Sequence, residues 1–333
     1  MKENNKLTEY IDDNNSNNQI KTHFLNNITT LSYHTISIKY IDKLKDGRLV
    51  SCSNDSKINV YKKYSFELEL SIIEHSSPVG YFTQLNDNRI ISCSYDRTMR
   101  VIKLIENNKY KIEQIIYGHN DNVCKVIEIR INELISVSND KSMKVWVLNK
   151  ENKFEIFKNI IFCYYYSYCD IFKLNEKEFV TSSFNDKCLK FWNTFDYSNI
   201  FTMDNILTIC SNKTMCIFNE DILCVSLLYY NISGFYIIKI SSHELIKTIF
   251  LTKSIFCINK CIDELLLCSI IDDNKNNYLV KYEFNDLYFI EITKKKRPHN
   301  NFSIYSFVEL DNGIIASGGE DHLIKLWEYN KST

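Results

Sequence analysis

Histidine, serine and aspartate recur along this chain at fixed offsets, and these are the side chains of a proton-transferring triad. Five aspartates, Asp55, Asp96, Asp140, Asp186 and Asp321, each follow a serine by four residues: Ser51, Ser92, Ser136, Ser182 and Ser317. Six residues after the aspartate stands an aromatic in four copies, Tyr61, Trp146, Trp192 and Trp327, with Ile102 in the fifth. Histidines precede four of the sets, at His34, His75, His119 and His299. A paired His and Asp could do acid–base chemistry, yet a catalyst needs one such site and not five copies. The repetition points to a structural network instead. In it the carboxylate accepts from imidazole and backbone N–H groups, and the imidazole connects through the serine hydroxyl to an indole N–H. Each charge-assisted bond contributes about 1.5–3 kcal/mol, and losing one partner costs more.

The elements that must carry these residues are strands. Residues 49–61 and 134–146 are the clearest copies: an apolar run, a polar step with the aspartate, then a second run with period-two alternation. Residues 90–102, 179–192 and 314–327 follow the same plan. Turn signals precede each hairpin: Asp46-Gly47-Arg48, Asp87-Asn88-Arg89, Asn132-Glu133, Asn175-Glu176-Lys177-Glu178, Asn219-Glu220-Asp221, Asp263-Glu264 and Asp311-Asn312-Gly313. Their spacing of roughly 41 to 48 residues is the period of a four-stranded propeller blade. Between Asp186 and Asp321 lie three such periods, so two repeats have lost the polar set while keeping their turns and apolar runs. The count is seven.

The histidine, strand serine, turn aspartate and tryptophan, in that order and on that period, resemble the WD-repeat family. The resemblance implies an all-β, seven-bladed β-propeller of four-stranded antiparallel blades, each tied by a His–Ser–Asp–Trp tetrad. Two sets have all four residue types: His119, Ser136, Asp140 and Trp146, and His299, Ser317, Asp321 and Trp327. Tyr61 can replace the indole donor in the first set, Ile102 cannot in the second (His75, Ser92, Asp96), and the fourth (Ser182, Asp186, Trp192) has no evident histidine. The expected repeats span residues 34–73, 75–117, 119–157, 161–203, 206–250, 254–292 and 299–329. The last has no outer strand of its own. An N-terminal strand is therefore expected to close the ring, with the join between residues 28–32 and 324–329. Residues 1–18, rich in Asn, Asp and Lys, are expected to be a disordered polar tail ahead of one domain over 19–333.

Function is less legible. No nucleophile elbow, phosphate-cradling glycine loop, HExxH or C-x-x-C pair is present, so no cofactor or metal site and no catalytic residue is assigned. The resemblance implies a non-catalytic scaffold or substrate adaptor that holds a peptide or protein. The residues just before the turn aspartates, Asn54, Tyr95, Asn139, Asn185 and Glu320, together with Arg97, form the candidate interaction face. A nucleic-acid or ribonucleoprotein role is the alternative, and an enzyme with a central acidic pocket the next. A net charge of -1 supplies no global field for nucleic acid or an anionic membrane. Twelve cysteines without framework spacing read as free thiols, and with polar residues at the start of the chain they suggest a cytoplasmic protein. Lys294, Lys295, Lys296 and Arg297 could be a nuclear signal, although an inter-blade loop is the simpler expectation. A monomeric propeller within a larger complex is the expected assembly.

Overall fold

β-Branched and aromatic residues alternate with polar ones between Asn- and Asp-based turns, a pattern that favours short antiparallel strands. The computed structural model describes residues 8–10, 25–161, 169–183, 187–206, 214–229, 232–251, 254–261, 265–271, 276–285, 288–296, 298–300 and 302–329. Their strands form seven sheets. Blade one is Ile38–Lys43, Leu49–Ser53, Ile58–Tyr61 and Leu68–Ile72; blade two is Val79–Gln84, Ile90–Ser94, Met99–Ile105 and Lys109–Ile116. Blade three is Val123–Arg130, Glu133–Ser138, Ser142–Leu148 and Phe154–Ile161; blade four is Cys169–Lys173, Glu178–Ser183, Cys188–Asn193 and Asn199–Asp204. Blade five is Met215–Asn219, Ile222–Tyr229, Ile232–Lys239 and Glu244–Leu251; blade six is Ser254–Lys260, Leu266–Ile271, Asn277–Asn285 and Tyr288–Lys296. Blade seven combines Ile304–Glu309, Ile315–Gly319 and Ile324–Tyr329 with Leu25–Leu31 from the front of the chain.

That last pairing closes the ring, antiparallel from Leu25 opposite Tyr329 to Leu31 opposite Ile324. It also completes two cores. Leu25 packs with Trp327, Phe307 and Cys257 between blades six and seven, while Leu31 packs with Ile38, Ile41 and Leu326 between blades seven and one. Similar cores fill the remaining gaps, so the hydrophobic interior is a circle of inter-blade seams rather than one centre. Cys52 and Cys93 occupy matching slots of blades one and two within one continuous core cluster, fully buried, and burial pushes both thiols up.

Every outer strand bulges where it passes the aromatic position of its hairpin. The extra residue is Glu69, Glu113, Phe157, Ile200, Ile246, Ile292 or Ile28 in blades one to seven. Such bulges bend the edge and discourage pairing with a foreign strand.

Two expectations change. Lys294, Lys295 and Lys296 lie within the outer strand of blade six, opposite Val280, Leu279 and Tyr278, and not in a loop. The lysine stem accounts for this, since Lys295 can lay its chain along the sheet with Nζ 5.7 Å from the Trp327 ring centroid. Arg297 lies outside the described residues. Thr8–Tyr10, within the stretch expected to be a structureless tail, form a fifth strand on blade five. Among the described residues no helix is long and apolar enough to cross a membrane.

Truncating Leu25 to alanine is expected to destabilise the protein by about 2–5 kcal/mol, because the side chain is fully buried where the ends of the chain meet. Denaturant unfolding followed by fluorescence measures this; an unchanged midpoint would mean that the closing strand carries no load.

Candidate functional site

The hairpin turn is where the repeated polar residues meet. The residue after each described turn aspartate has positive φ: Ser56 at 68°, Arg97 at 69°, Lys141 at 67° and His322 at 66°. Side chains other than glycine pay ~1–3 kcal/mol for that conformation. The aspartate offsets it as an Asx-turn, one carboxylate oxygen accepting the N–H two residues on: Lys57 at 3.1 Å, Thr98 at 3.0 Å, Ser142 at 2.9 Å and Leu323 at 3.3 Å. The aspartate therefore shapes the turn before it reaches any histidine.

Four complete His–Ser–Asp sets follow. Imidazole Nδ1 donates to the carboxylate at 2.9 Å for His34 and Asp55, 2.8 Å for His75 and Asp96, 2.8 Å for His119 and Asp140, and 2.7 Å for His299 and Asp321. Nε2 accepts from Ser51 at 2.7 Å, Ser92 at 2.8 Å, Ser136 at 2.7 Å and Ser317 at 2.7 Å. The serine oxygen in turn accepts from indole Nε1 of Trp146 at 2.8 Å and of Trp327 at 2.7 Å. In blade one the Tyr61 hydroxyl takes the indole's place, 3.0 Å from Ser51 Oγ, and burial pushes its pKa up to about 12. Ile102 closes nothing in blade two. There Arg100 adds a bond of 2.9 Å to Asp96 Oδ2, and its Nη1 also lies against His75 Nδ1.

Burial holds His75, His119 and His299 below the usual histidine range, although each aspartate pulls the other way. Burial also opposes charge on Asp55, Asp96 and Asp140. Hydrogen bonds from the histidines and neighbouring N–H and hydroxyl groups outweigh it and keep those carboxyls low. In blades two and three both shifts favour neutral imidazole beside ionised carboxylate, and in all four sets the imidazole is bonded to the aspartate and serine of its own blade.

Blade four departs from the reading of its sequence. Trp192 Nε1 donates to Thr181 Oγ1 at 2.9 Å, whereas Ser182 Oγ is buried with no hydrogen-bond partner among the described residues. Phe179 pairs with Trp192 where a serine at 182 would need Val180 there, a slip of one residue. A one-residue slip exchanges the faces of a strand. The sequence has no histidine between His119 and His243 that could bridge serine and aspartate and so select the other register. Asn185 and Asp186 lie outside the described residues. In blades five and six the serine slot is filled by Val225 and Cys268 and the aromatic slot by Ile238 and Tyr282. All four are buried, so apolar packing replaces the polar network, with Phe235 and Tyr236 buried beside it in blade five.

The candidate interaction residues share one position. Backbone N–H groups of Asn54, Tyr95, Asn139 and Glu320 donate to Ser37, Pro78, Asn122 and Ser303 in the inter-blade loops, at 2.9 to 3.0 Å. They stand together on one face of the ring, in blades one, two, three and seven. Tyr95 lies over Gly80, where an added Cβ would stand 3.4 Å from its ring. Arg97 is exposed beside it, and Asn139 Oδ1 accepts from the Cys124 thiol at 2.9 Å. At the same end, Lys39 Nζ lies 4.9 Å from the Tyr305 ring centroid.

The inner strands of blades one to six line a central cavity of about 590 Å³ that includes Tyr40, Asp42, Tyr81, Lys125, Lys173 and Lys260. Sequence reasoning missed the network at its wall. Lys125 donates to Asp170 Oδ1 at 2.7 Å and Thr214 to Asp170 Oδ2 at 2.9 Å, tying blades three, four and five. The signal was present: Tyr40, Tyr81, Lys125 and Asp170 sit in the same slot of successive inner strands, opposite Cys52, Cys93, Val137 and Ser182. Asp42 accepts from the Tyr40 hydroxyl at 2.7 Å. His243 was missed too; it bonds Glu178 at 3.0 Å and packs on Phe191 and Phe201.

Seven sheets, the closing strand and the hairpin networks together define a seven-bladed β-propeller of the WD40 fold. Among solved structures, the WD40 β-propeller domain of Doa1 is similar, with a TM-score of 0.72 and 17% sequence identity over 92% of this chain and 98% of that chain. No family model and no curated protein matches the sequence.

Two outcomes test these networks. Thr181→Val is expected to cost about 1 kcal/mol or more by stranding the Trp192 indole N–H, while Ser182→Ala is near neutral; the opposite ranking in thermal denaturation would restore the register read from sequence. Stability is also expected to fall on acidification in two stages. The unfolded state takes up protons near the ordinary histidine value of 6.5 and again near the carboxylate value of 3.8, while these folded groups take them up lower. Unfolding free energy therefore declines below about pH 6.5 and more steeply below about pH 4. A flat profile from pH 8 to pH 3 in denaturant titrations would contradict the arrangement.

Proposed function

We propose that this chain is a non-catalytic platform for a protein or peptide, and that the partner docks on the face bearing the turn aspartates. One observation supports this most: in four blades the histidine that could have done chemistry is bonded on both ring nitrogens to the aspartate and serine of its own blade. The carboxylates at the central cavity are taken up by structural bonds: Asp42 accepts from Tyr40, Glu128 from the backbone N–H groups of Asn86 and Asn132, and Asp170 beside the cavity from Lys125 and Thr214. On the aspartate turns Arg97 and Glu320 are exposed, while Asn54, Tyr95 and Asn139 stand half-buried beside them. Tyrosine and arginine are the residue types that dominate interaction hot spots. Tyr95 and Arg97, adjacent in one turn, are the centre of the proposed surface. Partner, pathway and compartment follow from the identity of what binds there.

Affinity purification with the wild-type chain and with Tyr95→Ala/Arg97→Ala tests the reading. The variant is expected to keep its melting temperature and to lose at least one specific partner by ~10-fold or more. Recovery of every partner at wild-type levels, with docking lost instead on changing exposed residues of the outer strands, would move the site off this face.

A further inference from the structure

Among the described residues, blade five alone has a partner on its outer edge. Thr8–Tyr10 run parallel to Glu244–Leu251, with Thr8 opposite Thr248, Glu9 opposite Ile249 and Tyr10 opposite Phe250. Two features independent of that pairing point to the same place. The first is the composition of the edge. Past its bulge at Ile246 the strand continues as Lys247-Thr248-Ile249-Phe250-Leu251, and Lys247 is buried, so no charge guards the run. The corresponding stretches carry Lys158 in blade three, Asp204 in blade four and Lys294, Lys295 and Lys296 in blade six, while those of blades one, two and seven are only three residues long. Beyond the bulge, a five-residue run with no exposed charge is long enough to serve as a template for another strand. The second feature lies in the tail. Residues 1–18 are mostly Asn, Asp and Lys, and Leu7-Thr8-Glu9-Tyr10-Ile11 is their one run with strand-favouring side chains.

We propose that the outer edge of blade five is a strand-acceptor site, and that the chain's own segment around Thr8–Tyr10 is its occupant, a detachable fifth strand. The connection is long enough: fifteen residue steps separate Tyr10 from Leu25, the start of the closing strand, and such a length reaches roughly 50 Å when extended. Three residue pairs hold the segment, against seven for the neighbouring inner strand of the same edge. The segment therefore opens locally without disturbing the ring, in the low-stability range where fraying ends lie. Its job is to shield an edge that, left bare, would pair with another chain.

Three forms of the protein test this by amide hydrogen exchange: the full chain, a chain beginning at residue 19, and the full chain carrying T8P/E9P. Successive residues of a strand point their N–H groups to opposite sides, so one of the two prolines removes a donor that faces blade five. Both variants keep Leu25–Leu31 and hence the closed ring. Exchange over residues 248–251 is expected to be about tenfold faster in both variants than in the full chain, with other blades unchanged. A synthetic peptide of residues 1–18, at millimolar concentration, is expected to restore protection to the truncated chain. Equal exchange in all three forms overturns the proposal. So does a peptide that leaves the truncated chain unprotected, or protection in the full chain that vanishes on dilution, which would assign the segment to a second copy.

Discussion

A carboxylate placed at the tip of a hairpin and half withdrawn from water must find donors, and the propeller is organised around how it does so. In blades one, two, three and seven the aspartate fixes the turn through the N–H two residues on and receives a histidine from the preceding inter-blade loop. The histidine reaches on to a serine in the middle of the sheet. One carboxylate thus ties turn, loop and two strands into a single unit. Because desolvating it without those donors is costly, the fastening is close to all or none. Its absence in blades five and six is matched by a complete change of side chains and not by a broken network: Val225, Ile238, Cys268 and Tyr282 fill the same space.

Ring closure is the second constraint. Each blade buries its faces only against its neighbours, so an open circle would leave two unpartnered faces at once. Placing Leu25 beside Trp327 and Leu31 beside Ile324 supplies both seams with one strand. The inner wall adds a fastening of another kind, since the Lys125–Asp170–Thr214 chain joins three successive blades where the polar hairpin networks give way.

The architecture was legible because its signals repeat. Turn residues on a constant period, and a serine, aspartate and aromatic at constant offsets, specify strand, turn and register together, and the seventh blade takes Leu25–Leu31 as its outer strand. Blade four shows the limit of that reasoning: Ser182, Asp186 and Trp192 keep the offsets, yet without a histidine the offsets no longer choose the register, and Thr181 takes the indole. The channel network was readable only by comparing Lys125 and Asp170 as occupants of one slot in neighbouring repeats, a relation between blades that no single motif displays. Thr8–Tyr10 escaped because a three-residue strand in a polar stretch has no periodicity to detect.

A double-mutant cycle on His119 and Asp140, each changed to alanine singly and together, measures the central fastening most directly. A coupling free energy of about 1.5–3 kcal/mol is expected, the range of a charge-assisted bond. Additive effects, with coupling below ~0.5 kcal/mol, would mean that the aspartate serves its turn alone and that the blade is not built around the pair.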